Sequence, residues 1–267
     1  MSIIMSKKML FEWSSKRFYS FDEESYLMSF KDEIHGWWME SSIHGTGTLR
    51  KEFSYYFYKL LEKNGINTHL CHTHSLQENG IIVRKVQPIK IEILVRNVAR
   101  WHWVDSHKVP IIEWGAIFEN PVVEYCLEIK TQLDDGRILD DPIVNEDMII
   151  ELDILCKIDS VAGTLIHNKE EFARIREIAL RVNAIYKKFL SEHNWILEDF
   201  KFEIGVDLSD TKEIRDFILI DEISPDCSRI RDEKWNSISK DLFRQKKPKE
   251  LIYKWYKELA DSIKDIS

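Results

Sequence analysis

Two short stretches decide the fold of this 267-residue chain: DFKFEIG at 199–205 and FILIDEISPDCSR at 217–229. In the first stretch, the apolar residues Phe200, Phe202 and Ile204 alternate with charged residues. Because the side chains of a strand point alternately to its two faces, this spacing predicts a β-strand with one packed face and one charged face.

The second stretch opens with four consecutive apolar residues at 217–220, which is typical of a buried strand that ends at Asp221 and Glu222. The polar residues 207–216 between the stretches are long enough to turn the chain back, which would pair the two strands antiparallel. Such pairing would bring Glu203 close to Asp221, where two carboxylates repel each other unless a cation lies between them. The two stretches therefore predict a site for metal ions and phosphates.

Hydrophobic periodicity predicts the other elements as a mixture of strands and helices. The predicted strands are 10–19 and 26–30, joined through the acidic turn 20–24, then 68–76 and 81–86 on either side of Asn79-Gly80, a strand ending at Arg96, and 122–129. The predicted helices are 49–61, which ends at Asn64-Gly65, then 172–190, and a helix from about 248 that carries Leu251, Trp255 and Leu259. Periodicity alone assigns the chain only to a mixed α and β class.

Five segments resemble those of the SAICAR synthetase (phosphoribosylaminoimidazole-succinocarboxamide synthase) family. They are the helix and its exit at 53–69, IEILVRN at 91–97, DPIVNE at 141–146, DFKFEIG with IDEISPDCSRI at 199–230, and KDLFR at 240–244. Five segments in the family's order, at roughly the family's spacing, are far more specific than any one of them alone. The chain is identified as a divergent member of that family.

The resemblance implies an α+β fold with two lobes. The first, at 1–95, is a small and mainly antiparallel β lobe with one helix. The second, at 96–267, is a larger ATP-grasp-like lobe that carries the metal, ATP and substrate residues.

The resemblance also implies an ATP-dependent ligase that forms an amide through an acyl phosphate, usually from carboxyaminoimidazole ribonucleotide and aspartate. Phosphoryl transfer depends mostly on positioning and charge neutralisation, which carboxylate-held Mg²⁺ supplies at phosphate oxygens. By resemblance, Glu203 and Asp221 are the Mg²⁺ ligands and, with Lys201, the catalytic residues. Lys16 and Lys85 join Glu203 and Asp221 in binding ATP. The implied substrate-binding residues are Arg96, Asp141, Asn145, Ser228 and Arg229.

Simpler explanations exist for some of these residues. Paired acids after a strand are often only turn formers or helix caps, and Arg96 could form an ion pair with Glu92, four residues earlier. Three histidines and a cysteine at 69–74 suggest zinc. In a strand, however, His72 and His74 would share one face while His69 and Cys71 share the other, which leaves any tetrahedral site incomplete and favours a structural role.

The chain departs from the family pattern at phosphate and substrate contacts. The family's Gly-Lys-x-Lys turn is replaced by WSSK at 13–16, and its Gly-Lys-Gly before the first helix is replaced by GTG at 45–47. The family's run of small residues after the 91–97 segment is replaced by VARWHW at 98–103. Three hypotheses follow: an orthodox SAICAR synthetase, a family ligase that amidates another carboxylate such as a sugar acid or another nucleotide, and a non-catalytic nucleotide-binding scaffold.

Composition limits the classes of partner and compartment. A net charge of -8 argues against a nucleic-acid-binding surface, which needs clustered Lys and Arg. The four cysteines show no CxxC spacing, no apolar run reaches the length of a membrane span, and the first residues lack a signal-peptide pattern. We therefore expect a cytoplasmic protein whose partners are small-molecule carboxylate and amine substrates, with a homo-oligomer left open.

Overall fold

In a computed structural model of the chain, the described residues are 8–36, 39–71, 75–100, 115–132, 135–155, 166–207, 212 and 215–264. The chain divides into two compact units, Met1–Val86 with Ile218–Ser267, and Gln87–Phe217. The division expected at 95/96 therefore differs from the structure, above all because the C-terminal residues belong to the first unit. The physical reason is that the C-terminal helix packs against the helix of the N-terminal segment.

The chain starts in the first unit, forms the second unit with its middle segment, and ends in the first unit. The first segment contains β1 (Met9–Glu12), β2 (Lys16–Ser20), β3 (Ser25–Phe30), β4 (Glu33–Gly36), β5 (Met39–Ser42), α1 (Thr46–Lys63), β6 (Leu76–Gln77) and β7 (Gly80–Arg84). The middle segment contains β8 (Gln87–Val98), β9 (Ile117–Leu127), β10 (Lys130–Gln132), β11 (Ile138–Asp140), β12 (Ile143–Val144), α2 (Glu146–Leu155), α3 (Lys169–Ser191) and β13 (Ile196–Val206). The last segment contains β14 (Phe217–Ile220), β15 (Ser228–Arg231), α4 (Asp241–Arg244) and α5 (Lys249–Lys264).

The first unit contains a five-stranded antiparallel sheet in the order β1-β2-β3-β7-β6. The hairpin predicted across the acidic turn is confirmed as β2–β3, and its turn is held by Asp22, whose carboxylate accepts the N–H of Glu24 at 2.9 Å. The predicted strand 10–19 is two strands instead of one. Trp13 donates its N–H to the carbonyl of Lys16 at 2.8 Å, so the chain turns between β1 and β2.

The hairpin predicted at Asn79-Gly80 is confirmed as β6–β7, with Leu76 opposite Ile81. Much of the predicted strand 68–76 is not a ladder strand: Leu70 makes a single bridge to Val83, and residues 72–74 lie outside the described part. His72 and His74, two members of the histidine cluster, therefore also lie outside it.

The helix predicted at 49–61 is confirmed as α1, whose apolar residues Leu49, Phe53, Phe57 and Leu61 are all buried. The helix ends where predicted. Gly65 adopts a left-handed φ of 73° and donates its N–H to Glu62 at 2.9 Å, which satisfies one of the last carbonyls of the helix.

The helix predicted from about residue 248 is confirmed as α5, which packs against α1. The buried residues are Ile252, Tyr256, Leu259, Ala260 and Ile263. Of the three apolar residues named in the prediction, Leu259 is buried, while Leu251 and Trp255 are half-buried. Among the described residues, no helix is long and apolar enough to cross a membrane.

The second unit is built on an antiparallel sheet in which β12, β9, β8 and β13 follow one another. One face of β8 carries Ile91, Ile93 and Val95, all fully buried, and the matching face of β13 carries the predicted apolar alternation. The long helix α3 packs against β13 and β8. The opposite face of the same strands carries charged residues, so the sheet has one apolar and one polar side.

The start of α3 is fixed by a reciprocal cap. Asn168 accepts the N–H of Glu171 at 2.9 Å, and the Glu171 carboxylate accepts the N–H of His167 at 2.9 Å. The same carboxylate takes two hydrogen bonds from Arg215, each at 2.7 Å. Burial alone would raise the pKa of Glu171, but the hydrogen bonds from Arg215 and His167 and the charge of Arg215 together lower it.

Replacing Glu171 by Gln should destabilise the protein by about 3 kcal/mol, because the Arg215 charge would stay buried without its counter-charge. Urea denaturation at neutral pH measures the change. Glu170→Gln, an exposed acid in the same helical turn, is the matched control and should change stability by less than about 0.5 kcal/mol. Equal stability of the two variants would contradict this role for the pair.

Candidate active site

The first unit contains a loop at residues 221–229, here called the acidic loop, that follows β14. Leu219 of β14 donates its N–H to Asn67 at 2.9 Å and accepts the N–H of His69 at 2.9 Å. This pairing anchors the strand immediately before Asp221. Asp221 then adopts a φ of 66°, a left-handed conformation that is uncommon for a residue other than glycine.

The Asp221 carboxylate forms an ion pair with the ammonium group of Lys16, whose side chain is only 4% exposed. The same ammonium group lies 3.1 Å from the carboxylate of Glu222. The structure thus brings together two of the residues expected to bind ATP, Lys16 and Asp221. Glu222, which follows Asp221 in the chain, completes the cluster.

Glu222 and Asp226 share a second cation, the guanidinium of Arg50. Its Nη1 lies 3.4 Å from Glu222 and 3.1 Å from Asp226. Asp226 also lies 3.4 Å from the ammonium of Lys240 and accepts a hydrogen bond from the Tyr256 hydroxyl. Burial alone would raise the pKa of Asp226, but the charges of Lys240 and Arg50 hold it well below its ordinary value.

Ser228 and Arg229, both expected to bind substrate, lie at the end of the acidic loop. Ser228 is buried and donates its hydroxyl to the carbonyl of Ser224 at 2.9 Å. Arg229 is partly exposed, and its Nε lies 3.5 Å from Asp241. Asp241 also lies 3.0 Å from Arg231 at the end of β15, so it holds both Arg229 and Arg231 in place.

Lys85 lies apart from the acidic loop, at the turn between β2 and β3. Its ammonium donates to the carbonyls of Asp22 at 3.1 Å and Glu23 at 2.8 Å, and it lies 5.1 Å from the ring centroid of Tyr26. These contacts hold the turn, which is a structural role the sequence did not indicate.

In the second unit, Arg96 is held by two buried carboxylates. Its Nε lies 2.5 Å from Glu124 on β9, and its Nη1 lies 3.3 Å from Asp199 on β13. The alternative ion pair with Glu92 is wrong, because the strand register places Arg96 opposite Asp199. Glu92 instead forms an ion pair with Lys201.

Three residues expected in the site lie along the polar face of the second unit's sheet. Arg96 is on β8, while Lys201 and Glu203 are on β13, and Glu203 is the cross-strand partner of Glu92. Two carboxylates in directly opposed positions repel each other, and the ammonium group of Lys201 beside Glu92 offsets this repulsion.

The two expected residues of the DPIVNE segment lie before β12 and at the start of α2. Asp141 precedes β12 with a left-handed φ of 44°. Asn145 accepts the N–H of Met148 at 2.9 Å and so caps α2. Both residues are exposed, and the described contacts of Asn145 are those of a helix cap.

His69, the described histidine of the 69–74 cluster, is a buried structural residue. Its ring meets the ring of Tyr58 edge-on, with centroids 5.3 Å apart. Burial, together with the charges of Lys16 and Arg84, lowers the pKa of His69 to about 3, so the imidazole is neutral at physiological pH.

Sequence reasoning missed Arg50 and Asp226 as members of the cluster. Arg50 lies directly beside Leu49, the start of the predicted apolar stripe, and a cation at the edge of a buried stripe is a signal of an internal ion pair. Asp226 stands inside the quoted segment and could have been recognised as a third acid in that run.

Comparison with known proteins agrees with the sequence resemblance. A model of the SAICAR synthetase family matches residues 10–261. The chain belongs to the SAICAR synthetase family. The phosphoribosylaminoimidazole-succinocarboxamide synthase of Sulfolobus acidocaldarius is 34% identical over 97% of this chain and 99% of that protein. The enzyme of that name from Campylobacter jejuni is 35% identical over 90% of this chain and 91% of its own length.

Solved SAICAR synthetase structures share the fold. The enzyme from Ehrlichia chaffeensis superposes with a TM-score of 0.79 at 26% identity, covering 97% of this chain and 100% of that one. A SAICAR synthetase in complex with ADP gives a TM-score of 0.74 at 31% identity, covering 95% of this chain and 96% of that one. The expected α+β fold of this family is therefore confirmed.

Asp226→Asn should destabilise the protein by about 3–5 kcal/mol at pH 7, because Arg50 and Lys240 would lose a buried counter-charge. The lowered pKa of Asp226 means that its stabilisation is present above the unfolded pKa of about 3.8 and is lost as the pH falls below that value. The difference in the free energy of unfolding between wild type and variant should therefore become smaller in acid. Urea denaturation from pH 7 to pH 2.5 measures it.

Glu258→Gln, on the exposed side of α5, serves as the matched control and should leave the pH dependence unchanged. A gap for Asp226→Asn that stays constant down to pH 2.5 would show that the carboxylate is not held ionised by its neighbours.

Proposed function

We propose that this chain is an ATP-dependent ligase that joins the carboxylate of carboxyaminoimidazole ribonucleotide to the amine of aspartate. The observation that carries the proposal is the acidic loop, where Asp221 and Glu222 lie beside Lys16 in a chain that matches the family from residue 10 to 261. The Sulfolobus acidocaldarius and Campylobacter jejuni relatives, which bear the name of this synthase, match 97% and 90% of this chain. One related structure contains ADP, which supports ATP as the co-substrate.

In the proposed first step, a carboxylate oxygen of the substrate bonds to the γ-phosphorus of ATP as the bond between that phosphorus and the bridging oxygen of ADP breaks. The products are ADP and an acyl phosphate. In the second step, the amine nitrogen of aspartate bonds to the acyl carbon, the carbon–oxygen bond to phosphate breaks, and the nitrogen releases a proton. The protein's contribution to such transfers is mostly positioning and charge neutralisation.

Asp221 and Glu222 of the acidic loop offer carboxylate oxygens, which are the ligands that Mg²⁺ takes. One oxygen of each lies within 4.8 Å of the other and of the Cys227 sulfur, which is not a ligand of the kind that Mg²⁺ prefers. Glu222 Oε2 is buried and accepts no hydrogen bond from the described residues, so a cation would satisfy it. Asp221 is the proposed Mg²⁺ ligand, and Glu203 keeps the same role by resemblance. Bound Mg²⁺ would neutralise charge on the nucleotide's phosphate oxygens.

Three lysines are proposed to contact the reacting phosphates or the nucleotide. Lys16 is held against the acidic loop, so its ammonium group is already positioned beside the proposed metal ligand. Lys201 is 45% exposed and can exchange Glu92 for a phosphate or for the activated carboxylate. Lys85 retains its proposed ATP-binding role by resemblance.

The proposed substrate-binding residues differ in exposure and in the ion pairs and hydrogen bonds that they already form. Arg229 has a partly exposed guanidinium, which suits a phosphate or carboxylate because its planar fork can donate two hydrogen bonds. Arg96 is fixed in orientation by Glu124 and Asp199. Ser228, Asp141 and Asn145 complete the proposed set.

Asp221→Asn should lower turnover at least about a hundredfold, because the amide cannot replace the charge that the carboxylate places at the metal. ADP release under saturating substrates measures turnover, and circular dichroism checks that the fold is kept. Asp147→Asn on α2, an exposed carboxylate, is the control and should keep full activity. Full activity of Asp221→Asn would remove Asp221 from the mechanism.

A panel of acids and amines tests the choice of substrate. ADP release should be strong with carboxyaminoimidazole ribonucleotide plus aspartate, and weak with sugar acids, other nucleotides or other amino acids. Strong turnover with a different pair only would reassign the enzyme to another carboxylate within the same chemistry. No release with any pair, together with a thermal shift at millimolar Mg·ATP, would identify a nucleotide-binding scaffold without ligase activity.

A further inference from the structure

Three polar side chains form a stripe on the buried side of α1. Arg50, Ser54 and Tyr58 are spaced by four residues, so they lie one above another on a single face of the helix. All three residues are 0% exposed. Burying a polar group costs free energy unless the group finds a partner, so each of these residues needs one.

The two hydroxyl groups of the stripe bind the backbone of the acidic loop. Tyr58 donates its hydroxyl to the carbonyl of Asp221, and Ser54 donates its hydroxyl to the carbonyl of Ile223 at 3.1 Å. Phenylalanine and alanine would fill the same places with apolar atoms. The hydroxyl groups therefore act on the path of the loop, while the helix packing is supplied by its apolar residues.

Arg50 links the acidic loop to the turn that carries Lys16. Its Nη1 binds Glu222 and Asp226, while its Nη2 lies 3.4 Å from the carbonyl of Ser15. The guanidinium of Arg50 thus binds both the acidic loop and the turn that precedes Lys16. It therefore helps to hold Lys16 and the loop together. The planar, rigid fork of arginine suits this task.

The conformation of Asp221 shows what the stripe has to hold. A φ of 66° is unfavourable for aspartate and persists only when surrounding contacts fix it. The Tyr58 hydrogen bond acts on the carbonyl of that same residue. With the backbone held there, the carboxylate of Asp221 meets the ammonium group of Lys16.

We propose that Tyr58, with Ser54 and Arg50, positions Asp221 for the metal-bound nucleotide. Tyr58 is a positioning residue because its hydroxyl touches the Asp221 carbonyl and acts through that residue. The proposal rests on the proposed role of Asp221 as a Mg²⁺ ligand.

The test is calorimetric titration of the full-length protein with Mg·ADP. Tyr58→Phe keeps the ring and removes one hydroxyl, and it should weaken Mg·ADP binding about tenfold, the effect of one lost hydrogen bond. Ser54→Ala should weaken binding in the same direction. Tyr55→Phe, a half-buried tyrosine on the same helix, is the matched control and should bind as the wild type does.

A second pair of variants separates positioning from general stability. In an Asp221→Asn background, Tyr58→Phe should cause no further loss of Mg·ADP affinity, because its effect passes through Asp221. A crystal structure of Tyr58→Phe should show Asp221 displaced from its left-handed φ and from Lys16. A lower unfolding midpoint with unchanged Mg·ADP affinity would reveal a purely structural hydroxyl and overturn the proposal.

The outcome is distinguishable from that of the ligase proposal. If wild type binds Mg·ADP and Tyr58→Phe binds it more weakly, the positioning role stands even when carboxyaminoimidazole ribonucleotide and aspartate give no ADP release. If Tyr58→Phe matches Tyr55→Phe in affinity, or if wild type binds no Mg·ADP, the positioning role is rejected, whatever the turnover assay shows.

Discussion

The guanidinium of Arg50 is completely buried, and it lies between the carboxylates of Glu222 and Asp226. Removing a charge of this kind from water costs several kcal/mol, which only close opposite charges and hydrogen bonds can offset. Burial alone would lower the pKa of Arg50, but the two carboxylates raise it, so the residue stays charged. These ion pairs therefore fix the acidic loop to α1, because separating the two would leave buried charges without partners.

The charges that face the acidic loop bear on the proposed binding of a nucleotide there. In the described part of the chain, the cations Lys16, Arg50 and Lys240 face the carboxylates of Asp221, Glu222 and Asp226. A divalent cation arriving alone would leave an excess of positive charge in a poorly solvated place. The phosphates of a nucleotide carry the negative charge that restores the balance, so metal and nucleotide should bind together.

Local patterns were enough to predict much of the fold, and the failures have identifiable physical causes. The apolar stripe of α1, with Gly65 after it, is a local signal, and the structure confirms it. The partners of Arg96 are not local, because Glu124 and Asp199 lie 28 and 103 residues away and meet it only through the strand register. The return of the C-terminal helix to the first unit likewise depends on which apolar faces fit together. No single segment encodes that choice.

The segment GTG at 45–47 shows how one departure from the family pattern is accommodated. The carboxylate of Asp32 accepts the N–H groups of Gly45 and Gly47, each at 2.9 Å, and Thr46 donates its hydroxyl to the carbonyl of Ile43 at 2.8 Å. An internal carboxylate therefore already occupies the positive end of the α1 dipole. A phosphate at this helix start would have to displace Asp32, and no lysine stands at position 46 to help it do so. Under the proposed ligase function, Lys16 would then contribute more to phosphate binding than it would beside an intact Gly-Lys-Gly.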